Sequence, residues 1–264
     1  MLSPESSTAF FIGNFGVKFY SIAMFFAIFF GTLLSCLIAK KYYKDVKIEH
    51  ILDMLPIVII SAIIGARIYY VTLDWNYYSK SIFEIFALWH GGISIHGALI
   101  GGFLGGLYYI KKHKLNLWKY ADVFAYGLLL GQSIGRIGNF FNIEAFGKPC
   151  NFSDVICLYI PINKRPTEFL NFDYFHPTFL YESLWNIFVL LILFFVIRKN
   201  KTPDGAIFFS YLILYSLGRL FIEQIRLDSV LNIGTIPIAQ IVCILTIIIS
   251  TAMLLILKKS LKAQ

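Results

Sequence analysis

Apolar runs long enough to cross a bilayer recur along this chain, and they constrain its fold more than any other feature. A span needs about 20 mostly apolar residues, and such runs lie near 18–39, 51–72, 91–110, 120–140, 178–197, 205–225 and 236–257. Backbone in hydrocarbon must satisfy its own hydrogen bonds, so each run is predicted to be a helix. The third and fourth runs are the marginal ones, being rich in glycine and polar residues. Only 14% of the 264 residues are charged, where a soluble domain keeps about a quarter. The predicted fold is an all-α polytopic membrane protein with about seven transmembrane helices. It forms a single domain over 1–264, with an outer loop region near 141–177. No strong internal repeat is read. Met1–Glu5 carries no basic region ahead of an apolar core, so no cleavable signal peptide is expected.

Lysine and arginine orient such a chain, because cytoplasmic loops carry the excess. Lys40, Lys41, Lys44 and Lys47 follow the first run; Lys111, Lys112, Lys114 and Lys119 follow the third. Arg198, Lys199 and Lys201 follow the fifth, and Lys258, Lys259 and Lys262 the seventh. These fourteen of 23 basic residues share one side if seven spans alternate. The predicted orientation is N-terminus outside and C-terminus cytoplasmic. The net charge of +8 is then read as membrane orientation and not as nucleic-acid binding. Cys36, Cys150, Cys157 and Cys243 show no metal-ligand spacing and no CxxC pair, so neither metal nor other cofactor is expected. Cys150 and Cys157 share one loop and can pair if it faces an oxidising compartment.

Polar groups inside the apolar runs are site candidates, because each is costly in hydrocarbon unless it has a partner or a function. In the predicted orientation they collect toward the outer ends of six runs: Tyr20, Arg67, His96, Arg136 with Asn139, Glu182, and Arg219 with Glu223. Structural polar residues would scatter in depth. A transporter would place its site near the midplane, on repeated halves, which the off-centre layer does not resemble. The classes in play are a membrane enzyme, a transporter or binding protein for an anionic lipid, and a structural membrane protein.

The stretch Gly135–Glu144 is the richest. Arg136 and Asn139 stand at i and i+3 and share a helix face, whereas Asn142 and Glu144 swing away on a regular helix. The helix is predicted to end near Phe140, with a turn at Gly147. A guanidinium suits a phosphodiester through paired N–H donors; the alternative is that Arg136 pairs with Glu144 or Glu182 to lock helices. Tyr215, Arg219, Glu223 and Arg226 fall within about 80° of helix surface. Arg before Glu at i,i+4 is the weaker order for a helix pair, so this stripe reads as facing a wet cavity, with an interfacial ion pair as the alternative. His96 is either a general base, histidine being the side chain whose ordinary pKa lies nearest neutrality, or a buried structural donor. Gly97, Gly101 and Gly105, at four-residue steps, allow two helices to approach closely.

Together these residues resemble the prolipoprotein diacylglyceryl transferase family. The signature is Gly135-Arg136-x-Gly138-Asn139-Phe140-x-Asn142-x-Glu144-x-x-Gly147. The likeness extends to Tyr20, Gly65-Ala66-Arg67, His96-Gly97, His176-Pro177-Thr178-x-x-Tyr181-Glu182, and Gly218-Arg219 with Glu223 and Arg226. Ala98 and Ser21 stand where the family pattern has glycine. The resemblance implies transfer of the sn-1,2-diacylglyceryl group from phosphatidylglycerol to the lipobox cysteine thiol of a preprolipoprotein signal peptide. A thioether forms and glycerol-1-phosphate leaves, the first step of bacterial lipoprotein maturation. It implies catalytic roles for His96, Arg136 and Arg219. It also implies substrate contacts from Arg136, Asn139, Tyr20, Asn142, Glu144, Gly147, Glu182, Glu223 and Arg67. The implied location is the bacterial cytoplasmic (inner) membrane, with the active site toward the outer leaflet.

Overall fold

The computed structural model describes residues 4, 6–151, 156–197, 202–227, 232–233 and 236–262. Arg198, Lys199 and Lys201 of the basic tally lie outside the described residues, as do Met1, Leu2, Ser3 and Glu5. All seven apolar runs are helical. They form α1 (Phe19–Tyr42), α2 (Ile48–Leu73), α3 (Ile95–Lys112), α4 (Leu117–Asn142), α5 (Thr178–Ile192), α6 (Ala206–Glu223) and α7 (Ile238–Lys262). Among the described residues, five of these (α1, α2, α6, α7, and α5 continued through the π-helical turn to Phe195) are long and apolar enough to cross a membrane. Helices α3 and α4 have 18 and 26 residues but carry the glycines and polar groups that made their runs marginal.

Among the described residues, three short antiparallel ribbons depart from the all-helical expectation. Strand β1 (Thr8–Ile12) pairs with β2 (Phe15–Lys18), β3 (Leu158–Tyr159) with β4 (Tyr174–Phe175), and β5 (Asn232–Ile233) with β6 (Ile236–Pro237). The first turns at Gly13, whose φ of 59° suits a residue without a side chain.

The chain divides into two compact units, residues 39–120 and residues 1–38 with 121–264. In the 39–120 unit, α2 and α3 pack backbone to backbone. A Cβ at Gly97 would collide with the Gly65 carbonyl oxygen, and one at Gly101 with that of Ser61. Small residues drive such contacts in lipid, where burial of apolar surface offers no gain over the acyl chains.

In the other unit, α1 meets α4 where a Cβ at Gly127 would strike Ser35 Oγ and the Gly31 carbonyl. Ser133 Oγ donates to the Ser183 carbonyl oxygen at 2.9 Å, and Ser183 Oγ returns the bond to Ser133 at 2.9 Å. Buried Asp122 caps α6, accepting from the amides of Gly205 and Phe208 at 2.8 Å each. A small apolar core of Ala145, Phe146, Leu158, Ile160, Phe175 and Phe179 supports the connection from α4 to α5. A disulfide joins Cys150 and Cys157 in that connection.

Candidate active site

Helices α4, α5 and α6 bring charge to one buried place. Glu182, one turn into α5, is 3% exposed. Its Oε2 pairs with Arg136 of α4, and its Oε1 with Arg219 of α6. Arg226, just past α6, reaches the same Oε1 at 3.3 Å. Arg219 also holds Glu223, one turn along its own helix, at 2.7 Å. The i,i+4 pair doubted on sequence grounds therefore forms, but as one link of a larger network. Among the described residues, three guanidiniums gather around two carboxylates, a cationic cluster of the kind that attracts an anion in low dielectric.

Local backbone explains how Arg226 arrives there. Gly147 bridges antiparallel to Arg226. Lys148 N donates to the Ile225 carbonyl at 2.7 Å, and Leu227 N to that of Phe146 at 3.3 Å. A Cβ on Gly147 would lie 2.7 Å from Ile225 O and 2.9 Å from Thr178 Cγ2. Gly147 is thus the residue that lets the two segments touch.

Helix α4 ends two residues later than expected, and its exit is strained. Ile143 and Ala145 adopt φ of 56° and 55°, a conformation disfavoured for side chains with a Cβ and most of all for β-branched ones. The Ala145 carbonyl is pinned by Thr178 Oγ1 at 2.6 Å and by the Phe179 amide at 2.9 Å. This turn folds Glu144 back onto α4. Its amide donates to the Asn139 carbonyl at 3.0 Å, and Asn139 Nδ2 donates to its Oε2 at 3.4 Å. A regular helix would have kept the two apart.

The other expected site residues fall as follows. Tyr20 of α1 packs against Gly138, where an added Cβ would lie 2.8 Å from its ring. Asn142 accepts from Lys164 Nζ through its carbonyl at 2.5 Å. In the 39–120 unit, His96 is the second residue of α3, exposed, with its ring 5.9 Å from that of Tyr69. Arg67 is placed differently from a ligand contact. Its five N–H donors meet the carbonyls of Glu84, Ile85, Ala87, Gly91 and Gly92, leaving none for a phosphate.

Two further residues belong to the site. The Trp185 indole lies on Gly218, where any Cβ would overlap it, and donates to the Leu214 carbonyl at 2.9 Å. Trp185 and Asn186 line a narrow crevice with Glu182, Tyr215, Arg219 and Ile222. The Gly218-Arg219 pair hinted at the first in sequence; nothing marked Asn186.

The family model for prolipoprotein diacylglyceryl transferase matches residues 7–256. This chain belongs to the prolipoprotein diacylglyceryl transferase family. A phosphatidylglycerol–prolipoprotein diacylglyceryl transferase of Nostoc sp. is 44% identical over 246 residues, which cover 91% of this chain and 85% of the relative. One from Acaryochloris marina is 43% identical over 256 residues, covering 95% and 91%. One from Prochlorococcus marinus is 43% identical over 244 residues, covering 86% and 80%. The family match embraces the Arg136–Glu182–Arg219 network, Gly147 and His96 alike.

Proposed function

We propose that this member of the family transfers the diacylglyceryl group of phosphatidylglycerol to the lipobox cysteine thiol of a prolipoprotein. The observation that carries the reading is the cluster of Arg136, Arg219 and Arg226 around Glu182. A phosphodiester is anionic, and two-pronged N–H donors suit it. Arg136 is the open member, its side chain 23% exposed against 14% for Arg219 and Arg226. It is assigned to the donor phosphate, with Arg219 beside it.

In the reaction, the acceptor sulfur attacks the glyceryl carbon that bears the phosphate. The carbon–oxygen bond breaks, a thioether forms, and the electron pair leaves on glycerol-1-phosphate. Charge that gathers on the departing phosphate is met by guanidiniums already held in place by Glu182 and Glu223, so little reorganisation is needed. The attacking sulfur must be a thiolate. His96 is assigned to remove its proton, because imidazole is the side chain whose pKa lies nearest the working pH. Asn139, Asn142, Glu144 and Tyr20 are assigned to the polar parts of donor and acceptor. Arg67 is left out of the substrate contacts because backbone carbonyls occupy its donors.

The protein is read as seven-spanning, N-terminus outside, in the bacterial cytoplasmic membrane. The basic-residue distribution supports this orientation, and it directs the 141–177 loop with its disulfide to the oxidising side. Incubating purified protein with acyl-labelled phosphatidylglycerol and a lipobox peptide tests the function. Label should appear on the peptide, and a cysteine-to-serine peptide should remain bare. An anionic-lipid carrier would move lipid and leave both peptides unlabelled.

A further inference from the structure

We propose that residues 74–94, between α2 and α3, form a paddle embedded in the lipid interface, and that Arg67 is the clasp that lets irregular backbone lie there. Two short helical turns, Trp75–Tyr78 and Ile82–Phe86, and a 3-10 turn, Leu88–His90, make up most of this segment. Gly91 and Gly92 close it with φ of 85° and 75°. These turns are too short to form one continuous helix, so the regular amide-to-carbonyl ladder is broken along the segment.

The segment turns outward both polar side chains, among them Asp74, Asn76, Ser79, Lys80, Ser81 and His90, and a run of large apolar ones. Ile82, Phe83, Phe86 and Trp89 are each 70–72% exposed. Large apolar side chains clustered in this way are uncommon on a water-facing loop. The mixture of Trp, Tyr and Phe is that of side chains which settle at headgroup level. The surface continues that of α2, a helix long and apolar enough to span, whose Ile64, Ile68 and Leu73 are exposed on approach to the paddle. Lipid is thus the occupant that continuity assigns.

Inside, the segment is tied to one buried cation. Arg67 donates through Nε to Ile85 O at 2.9 Å, and through its two terminal nitrogens to Glu84, Ala87, Gly91 and Gly92 at 2.5 to 3.3 Å. Its guanidinium also lies 5.0 Å from the ring of buried Tyr78. Glu84 O and Ala87 O also accept from the amides of Ala87 and His90, both at 3.2 Å, and the guanidinium supplies the bonds to Ile85, Gly91 and Gly92. In hydrocarbon an unsatisfied carbonyl costs several kcal/mol, and irregular backbone is tolerated only where protein satisfies it. One arginine with all five donors spent on one loop lets such backbone sit at the lower edge of the interface, where water is scarce. The clasp has a consequence for the reaction. Next to Arg67, the Ala66 carbonyl accepts from the Ser94 amide at 3.1 Å, which fixes the entry to α3 and the depth of His96. The choice of the outer leaflet rests on the proposed orientation; the contact with lipid does not.

Trp89 is a built-in reporter. The full-length protein and its Trp89→Phe variant are placed in vesicles of phosphatidylglycerol and phosphatidylcholine, and the difference in their emission isolates Trp89. That emission should be blue-shifted, lost on adding brominated lipid, and retained in aqueous iodide. Arg67→Lys keeps the charge but not the fork; it should open Trp89 to iodide and speed amide exchange over 82–93. Trp89 quenched by iodide and not by bromolipid overturns the paddle, and quenching by neither does so too, since protein would then cover it. An Arg67→Lys protein with unchanged quenching and exchange overturns the clasp. Transfer to the lipobox peptide is measured in the same vesicles. Wild type that transfers while Trp89 sits in water sinks this inference and leaves the transferase reading intact.

Discussion

Arg136 and Arg219 bind opposite oxygens of a single carboxylate, Oε2 and Oε1 of Glu182. Residues on two helices are thereby fixed at one spacing by a third, and that spacing is the proposed phosphate seat.

Arg136→Ala should lower transfer at least about 100-fold, the usual cost of deleting a preplaced donor at a developing anion. The protein should still insert and run as a single species in detergent. Arg136→Lys should recover little, because an ammonium keeps the charge and loses the two-pronged geometry. Transfer assays on both variants check this, and near-normal rates in either one contradict the assignment.

Glu182→Gln leaves three guanidiniums around a neutral group. Breaking a buried pair costs about 3–5 kcal/mol, so thermal unfolding should shift down clearly and transfer should fall with it. Arg226→Gln, which gives up the longer 3.3 Å contact to Glu182, should be the milder change in unfolding temperature.

Gly147→Ala tests the route by which Arg226 is delivered. The new methyl meets backbone, the Ile225 carbonyl at 2.7 Å, and not a side chain that can swing aside. Transfer should drop sharply while α1 to α6 remain protected in hydrogen exchange. A fully active variant would show that the Gly147–Arg226 bridge has no part in placing the arginine.

Most of the helical frame was legible in the sequence. Each apolar run became a helix, and the Gly97-x-x-x-Gly101 step packs against α2 as the spacing implied. The polar stripe of Arg219, Glu223 and Arg226 announced the network on α6. What stayed hidden has physical reasons. Ile143 and Ala145 take left-handed φ through hydrogen bonds from Thr178 and Phe179, and neither residue type signals that conformation. The resemblance counted Arg67 among the substrate contacts, whereas its partners are backbone carbonyls, which every residue carries and no motif announces. The β1–β2 ribbon, which turns at Gly13-Asn14, lies outside the all-helical expectation.

His96→Gln should reduce turnover more than donor binding if His96 takes the thiol proton. Raising the pH should partly restore the rate, since solvent then supplies the thiolate unaided. A loss that tracks lowered stability and shows no pH rescue would assign His96 to helix packing instead. A stable, fully active variant would exclude both roles.

Orientation is checked with single cysteines introduced near Lys44 and Lys164. A membrane-impermeant reagent should label the first only from the cytoplasmic side and the second only from outside. Equal or reversed labelling contradicts the alternation of seven spans.

The central claim is that the phosphate is held and released while the diacylglyceryl group moves to sulfur. Phosphatidylglycerol labelled in both its acyl chains and its phosphorus measures this most directly, with purified protein and a lipobox peptide. The acyl label should pass to the peptide in a bond that survives thioester cleavage, and the phosphorus label should appear in free glycerol phosphate in equal amount. Phosphorus retained on the peptide, or acyl label released by hydroxylamine, would contradict the account.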